Sequence, residues 1–459
     1  PRHICLQVGV AVAVAVDKSA ELDALGLLSP RAEHRPRLEV RAIRVTAERV
    51  EMIPVEGDVD AEVLEPEHCL TDLGIAHVLG AHLHAESDGS IEKNHVFSVR
   101  TSTPPGPARR DAERQCGGQD ESMVAALHLP SLPPLDELLE SAHVVALPLA
   151  TRFRGIEHRE AMLLRGPAGW TEFSPFLEYD DAEASTWLAA AIDFGWHSTP
   201  AARRSEIRVN ATVPAVAPDA VSDVLARFDG CRTVKVKVAE SGGTLADDVA
   251  RVRAVREAMG PLGRIRVDAN GAWNLDEAEH AVRALAEFDL EYVEQPCGSL
   301  EELRELRRRI RYMGVPVAAD ESVRKAEDPL AVARSGAADL LVIKAQPLGG
   351  VHRALAIVAE AGLPVVVSSA LDTSVGLAMG ASLAAALPDL DYDCGLGTAS
   401  LLAADVTTQP VRPEHGTIPV RRPAVDESAL EFQAAPPDRR RWWRERLTRC
   451  HALLAVSQG

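Results

Sequence analysis

The chain has 459 residues, 46% of them hydrophobic and only 4% aromatic, with a formal net charge of −19. That length allows two or three domains, and so acidic a chain is a poor partner for nucleic acid. There is no apolar run of about 18 residues to span a membrane as a helix, and the seven cysteines show no C-x-x-C pair or framework spacing, as expected of reduced thiols in a cytoplasmic protein.

Residues 1–122 stand apart. They hold a single aromatic, Phe97, and are broken by clusters such as Thr103-Pro-Pro-Gly-Pro107. Such a segment has little to offset its ordering entropy and is expected to be a disordered or non-native extension. Leu6–Val16 is apolar like the core of a signal peptide, but Asp17 and Lys18 do not make a cleavage site. Organised sequence begins at Met123, a candidate start. Residues 123–205 read as a small α+β domain. Strands are expected at Val144–Leu149 and Arg159–Leu164, with a hairpin arm ending at Gly169-Trp-Thr-Glu172. A helix is expected over Asp181–Phe194, whose Ala184, Trp187, Leu188, Ala191 and Ile192 share one side.

From residue 206 strands and helices alternate. Strands are predicted at Ile207–Val213, Thr233–Val238, Arg264–Ala269, Leu290–Glu294, Val315–Ala319, Leu340–Lys344, Pro364–Ser368 and Tyr392–Leu396. Helical stretches such as Leu245–Ala258, Leu275–Glu287, Leu300–Arg311 and Gly350–Ala361 separate them. Eight strands with seven connections predict a closed parallel barrel over 206–404 rather than an open sheet. Residues 405–459, with Arg441-Trp-Trp-Arg444, are expected to return to the small domain.

Five charged residues end successive strands: Lys237, Asp268, Glu294, Asp320 and Lys344, at steps of 31, 26, 26 and 24 residues. One parallel α/β unit takes about that many. All five therefore fall at the C-terminal strand ends, where barrels carry their ligands. Three carboxylates there repel each other without a cation, and oxygen-only donors favour Mg²⁺, or Mn²⁺, over zinc. The competing reading is three surface acids, each paired with an arginine. Lys235 and Lys237 form a K-x-K whose alternation turns both side chains into the barrel. Burial and mutual repulsion should lower at least one of their pKa values, giving a general base near neutral pH. Snorkelling lysines on an exposed edge strand are the alternative. Lys344, across the barrel, is the second candidate catalytic cation.

The K-x-K strand, Val267-Asp-Ala-Asn-Gly-Ala-Trp273, Tyr292-Val-Glu-Gln-Pro296, Ala319-Asp-Glu-Ser322 and Val342-Ile-Lys-Ala-Gln-Pro-Leu-Gly-Gly350 resemble the muconate-lactonizing subgroup of the enolase superfamily. The resemblance covers about residues 123–445. It implies a modified (β/α)7β TIM-like barrel with an α+β capping domain built from N-terminal and C-terminal segments. It implies Mg²⁺ held by Asp268, Glu294 and Asp320, with Lys237 and Lys344 facing each other across a small-molecule carboxylate. Lys235, Asn270, Glu321 and Arg154 are implied in support. The shared chemistry is removal of a proton α to a carboxylate, with the developing charge stabilised by the metal.

Three stretches narrow the resemblance: Val367-Ser-Ser-Ala-Leu-Asp-Thr-Ser-Val-Gly-Leu377, Cys394-Gly-Leu-Gly-Thr398, and Gly166-Pro-Ala-Gly-Trp-Thr-Glu-Phe-Ser-Pro-Phe176 after a Phe153-Arg-Gly155 loop. They are similar to the actinobacterial o-succinylbenzoate synthases. That family implies dehydration of 2-succinyl-6-hydroxy-2,4-cyclohexadiene-1-carboxylate in menaquinone biosynthesis, with Ser368, Ser369, Gly395 and Gly397 lining the pocket for the succinyl arm. N-succinylamino acid racemase, dipeptide epimerase and muconate cycloisomerase are the alternatives within the subgroup, and a non-catalytic binding barrel is a remote one. Two departures stand out. Thr171 replaces the family's usual glycine in a cap turn. Asp391-Tyr-Asp393 precedes the eighth strand where dipeptide epimerases carry an Asp-x-Asp, and is read as coincidental. No nucleic-acid or membrane partner is expected, and a monomer is slightly favoured.

Overall fold

The structure is a computed structural model that describes residues 10–14, 40–45, 50–54, 132–324 and 329–458. The chain divides into two compact units, Pro1–Glu113 and Arg114–Gly459. In the first, strands β1 (Val10–Val14), β2 (Val40–Val45) and β3 (Val50–Pro54) pair as an antiparallel meander. The rest of the segment expected to be disordered, and Met123, lie outside the described residues.

In the second unit a short helix, Leu135–Glu140, precedes three antiparallel strands: β4 (His143–Phe153), β5 (Ile156–Gly166) and β6 (Gly169–Phe173). Arg154 and Gly155, both at positive φ (+50° and +78°), make the two-residue turn between β4 and β5, the conformation that matches strand twist in a tight hairpin. The second hairpin turns at 167–168. Thr171 is therefore a buried strand residue opposite Leu164 rather than a turn residue. Helix Asp181–Trp196 starts where the Asp180 side chain accepts from Glu183 N at 2.8 Å, satisfying one orphan donor of the first turn. Its Trp187 and Leu188 pack with Leu164 and Phe173 of the sheet. The C-terminal helix Pro437–Gln458 adds Trp443, Leu447 and Leu454 to the same core.

Seven parallel strands follow, each beside its sequence neighbour: β8 (Ala211–Val213), β9 (Thr233–Lys237), β10 (Arg264–Asp268), β11 (Leu290–Glu294), β12 (Val317–Ala319), β13 (Leu340–Ile343) and β14 (Val365–Val367). Runs such as Val365-Val-Val367 are buried throughout, as parallel strands covered on both faces require. Capping boxes open three of the outer helices, at Thr244 with Asp247, Asn274 with Glu277, and Ser299 with Glu302, which satisfies exposed first-turn donors. The expected first strand is split. β7 (Glu206–Arg208) turns away to pair with β15 (Thr417–Pro419), leaving β8 in the barrel wall. The expected eighth strand shrinks to two bridges, Cys394 to Val209 and Gly395 to Ser368. These two bridges close the cylinder, completing a (β/α)7β barrel capped by the three-stranded sheet and its helices.

Candidate active site

Strand register gathers the charged residues. Lys237 pairs with Asp268, and Asp268 with Glu294, so the three form a row across β9, β10 and β11. Asp320 and Lys344 follow the last residues of β12 and β13. β9 and β13 are the second and sixth of eight strands, so Lys237 and Lys344 rise from opposite walls.

The contacts are close. Lys235 Nζ bridges Glu294 Oε1 at 2.9 Å and Asp268 Oδ2 at 3.1 Å. Lys237 Nζ donates to Asp268 Oδ2 at 2.6 Å and to Asn270 Oδ1 at 2.7 Å. Lys344 Nζ donates to Asp320 Oδ2. Asp268, Glu294 and Asp320 are each 1% exposed. Asn270, at φ +48°, is fixed by its backbone N–H to Asp268 Oδ1 at 3.0 Å and by its amide to Glu321 at 3.2 Å.

Burial acts differently on the two lysines of the K-x-K. For Lys235, burial opposes the charged form, but Glu294 and Asp268 outweigh it and raise its pKa. For Lys237, burial dominates, Lys235 and Arg154 add repulsion, and the pKa falls despite Asp268. Burial and the Asp268 carboxylate push Glu294 up to about 7, against Lys235. Burial works the same way on Asp320, but Lys344 and Arg324 overcome it and hold that carboxyl down to about 2.

Among the described residues, no three acidic, His or Cys side chains are already drawn around one point as a metal would hold them. Lysine ammoniums lie among the carboxylates instead. The donor set nevertheless fits a hard divalent cation: three buried carboxylates, no sulfur or nitrogen ligand, and an Asp320 Oδ1 that accepts no hydrogen bond.

Above the row lies a narrow cleft between cap and barrel, bounded by Phe153, Phe176, Lys237, Lys344, Ser368 and Leu371, among others. Arg154 lines it from the β4–β5 turn, with its guanidinium 3.6 Å from Glu321 and 5.0 Å from the Phe176 ring centroid. Ser368 and Gly395 also line it, and a Cβ on Gly395 would collide with Ser368 Oγ. Ser369 is present, but its hydroxyl is engaged, donating to Gly395 O at 2.8 Å beside Thr398 Oγ1 at 2.8 Å. Gly397 is not among the residues that line the cleft. A Cβ on it would meet Asn210 O at 2.9 Å.

Asp393 lies at the opposite mouth, accepting from Thr233 Oγ1 at 2.7 Å and Arg264 at 2.5 Å. Both partners open their strands. The Asp391-Tyr-Asp393 pair therefore has no place in the cleft.

Sequence reasoning missed Arg324. Its Nε lies 3.4 Å from Asp320 Oδ1, and it donates to Glu321 at 2.8 Å and to the Tyr179 hydroxyl at 3.1 Å. The signal was present, since residues four apart on a helix meet. The Phe176 ring carried no such signal.

Comparison with known proteins places the chain in a family. The family described as enolase C-terminal domain-like matches residues 219–424, and enolase N-terminal domain-like matches 144–195. The chain is 54% identical over 332 residues to o-succinylbenzoate synthase of Mycobacterium tuberculosis, covering 72% of this chain and 100% of that protein. The enzyme of the same name from Mycolicibacterium smegmatis is 54% identical over 324 residues, covering 70% and 99%. Among solved structures, muconate lactonizing enzyme from Pseudomonas putida shares the fold with a TM-score of 0.55 at 19% identity, covering 64% of this chain and 98% of its own. The 2-chloromuconate cycloisomerase from Rhodococcus opacus 1CP gives 0.56 at 24%, with the same coverage.

Proposed function

The chain belongs to the o-succinylbenzoate synthase family of the enolase superfamily, and from that premise we propose that it dehydrates 2-succinyl-6-hydroxy-2,4-cyclohexadiene-1-carboxylate to o-succinylbenzoate in menaquinone biosynthesis. The observation that carries the reading is a lysine of lowered pKa, Lys237, on one wall of the cleft, with Lys344 on the facing wall.

Lys237 in its free-amine form takes the C1 proton, and the C–H electrons move toward the carboxylate. The resulting ammonium returns that proton to the C6 hydroxyl as the C–O bond breaks. Water leaves and the ring becomes aromatic. One residue serves both steps because proton and hydroxyl depart from the same face. Asn270 Oδ1, 2.7 Å from Lys237 Nζ, aims the amine. Lys344 stands on the other face, opposite the negative charge that builds up and within reach of a cation–π contact with the ring. Ser368, beside Gly395, suits the carboxylate of the succinyl arm.

Enzymes of this superfamily generally use a divalent metal. We take it to be Mg²⁺, with Mn²⁺ a substitute, held by Asp268, Glu294 and Asp320. Such an ion supplies Lewis-acid neutralisation of carboxylate charge. The four described cysteines, Cys231, Cys297, Cys394 and Cys450, are free thiols, which suits a cytoplasmic enzyme.

The test is product formation from the cyclohexadiene, lost with EDTA and restored by Mg²⁺. A metal-supplemented protein that forms no o-succinylbenzoate would overturn the reading. Opposed lysines also favour a second activity, racemisation of N-succinylamino acids, because each can exchange a proton with one enantiomer. The dipeptide-epimerase alternative loses its support with Asp391 and Asp393 at the far mouth.

A further inference from the structure

A buried charged cluster outside the metal row joins the cap to the wall of the cleft. Arg159 of β5 is 2% exposed and Glu172 of β6 is fully buried. Glu172 Oε2 accepts from Thr373 N at 3.1 Å, Thr373 Oγ1 at 2.5 Å and Gly376 N at 3.1 Å. Its other oxygen accepts from Ser174 Oγ at 2.5 Å. Arg159 Nε donates to Leu371 O at 3.2 Å, and its NH2 to Ser174 Oγ at 3.1 Å. The guanidinium also lies 4.4 Å from the Phe176 ring centroid. Asp372, 5% exposed, completes the cluster.

These partners have a common location. Ser368, Ser369, Ala370 and Leu371 form one continuous stretch of cleft wall, and Thr373 and Gly376 begin the helix Ser374–Ala386 that follows it. Leu371 sits at φ +63°, a conformation a branched residue adopts only when its surroundings impose it. The bond from Arg159 to the Leu371 carbonyl is one such constraint. Buried ions cost several kcal/mol each in lost hydration, and apolar packing would hold two surfaces together at less cost. Holding one loop in one shape is what such a cluster does better.

We propose that Arg159 and Glu172 are positioning residues for substrate binding: from the cap, they fix the Ser368–Leu371 wall in the shape that receives the arm of the substrate distal to the reacting carbon. The inference rests on the functional reading above.

A second cap carboxylate supplies the control. Asp193 accepts from Val351 N at 2.8 Å and contacts His352 Nδ1 at 2.7 Å, capping the helix Val351–Ala361, no residue of which lines the cleft. With o-succinylbenzoate formation as the assay, Glu172→Ala and Arg159→Met should raise KM about tenfold or more while kcat stays within about threefold. The dissociation constant of the product should rise in step. Glu172→Gln, which keeps an acceptor for Thr373 and Gly376, should recover most of the loss. Asp193→Asn should lower Tm comparably yet leave KM within about twofold. If Glu172→Ala does not fold, Thr373→Val removes one of the donors to Glu172 and should raise KM in the same direction. Wild-type KM and product affinity in the folded variants, or an equal KM rise in Asp193→Asn, would reduce the cluster to a merely structural one. A wild-type protein that makes no product would instead overturn the functional reading beneath it.

Discussion

Two lysines two residues apart on one strand have opposite electrostatic fates, and the difference lies in their partners. Lys235 touches two carboxylates, and Lys237 touches one while sharing its neighbourhood with Lys235 and Arg154. Lys237→Ala should therefore abolish dehydration, a loss of at least about 10²–10⁴-fold for a missing acid–base group. Bound Mg²⁺, read by calorimetric titration, should persist. Near-normal turnover in that variant would rule out the proposed base. Lys235→Met should act otherwise, by leaving Glu294 and Asp268 without their shared cation. A buried pair broken on one side costs about 3–5 kcal/mol, so a large drop in Tm is expected in the metal-free protein. Glu172 carries a pH signature. Burial first, then Asp372, push it from 4.5 up to about 7, against Ser174, Thr373 and Arg159. The fold thus favours the protonated form. That contribution is fully present below about 4.5 and is lost as pH rises through about 7. Glu172→Gln should gain Tm relative to wild type across that window. A pH-independent difference would show that Glu172 does not titrate there.

The helix after β14 inverts an ordinary rule. Gly376 lies inside Ser374–Ala386, where Gly→Ala normally stabilises by about 1 kcal/mol. Here a Cβ would stand 2.7 Å from Glu172 Oε2. Asp372 Cβ, at 2.8 Å from the same point, would remain in the way without Glu172, so Gly376→Ala should destabilise wild type and, by less, a Glu172→Ala background, a non-additivity that a double-mutant cycle of denaturant unfolding reads directly. Interactions of this kind mark the limit of sequence reading. The barrel strands were legible because parallel, doubly covered strands are continuous apolar runs, and Lys237, Asp268, Glu294, Asp320 and Lys344 because one repeat length puts each at the same strand end. The split at Val209–Asn210 and the shrunken strand at Cys394–Gly395 were not, because bridges to distant segments rather than local pattern decide them. Ser369 and Gly397 look like their neighbours Ser368 and Gly395 in sequence. Only packing shows that the Ser369 hydroxyl, though on the cleft wall, is engaged by Gly395 O and Thr398, and that Gly397 packs against Asn210. Arg159, Glu172 and Asp193 gave no sign, since their partners on the barrel lie more than 150 residues away.

At the scale of the molecule, catalysis is expected from the part shared with the relatives, which 332 residues match along their whole length. A chain beginning at Met123 should keep kcat/KM within about twofold, and a large loss would show that residues 1–122 contribute to turnover. The cap and barrel within that part meet through two hollows. Gly350 leaves room for Asp193 and Gly376 for Glu172, and a methyl group in either place would strike the carboxylate. Each glycine belongs to the barrel and each acid to the cap. Recombination between relatives is therefore constrained by pairs rather than by single positions. A hybrid joined near residue 205 inherits a working seam only if its two parents agree on both the void and the acid that fills it. A library of such hybrids should sort into active and inactive members by those two matches before overall identity makes any difference.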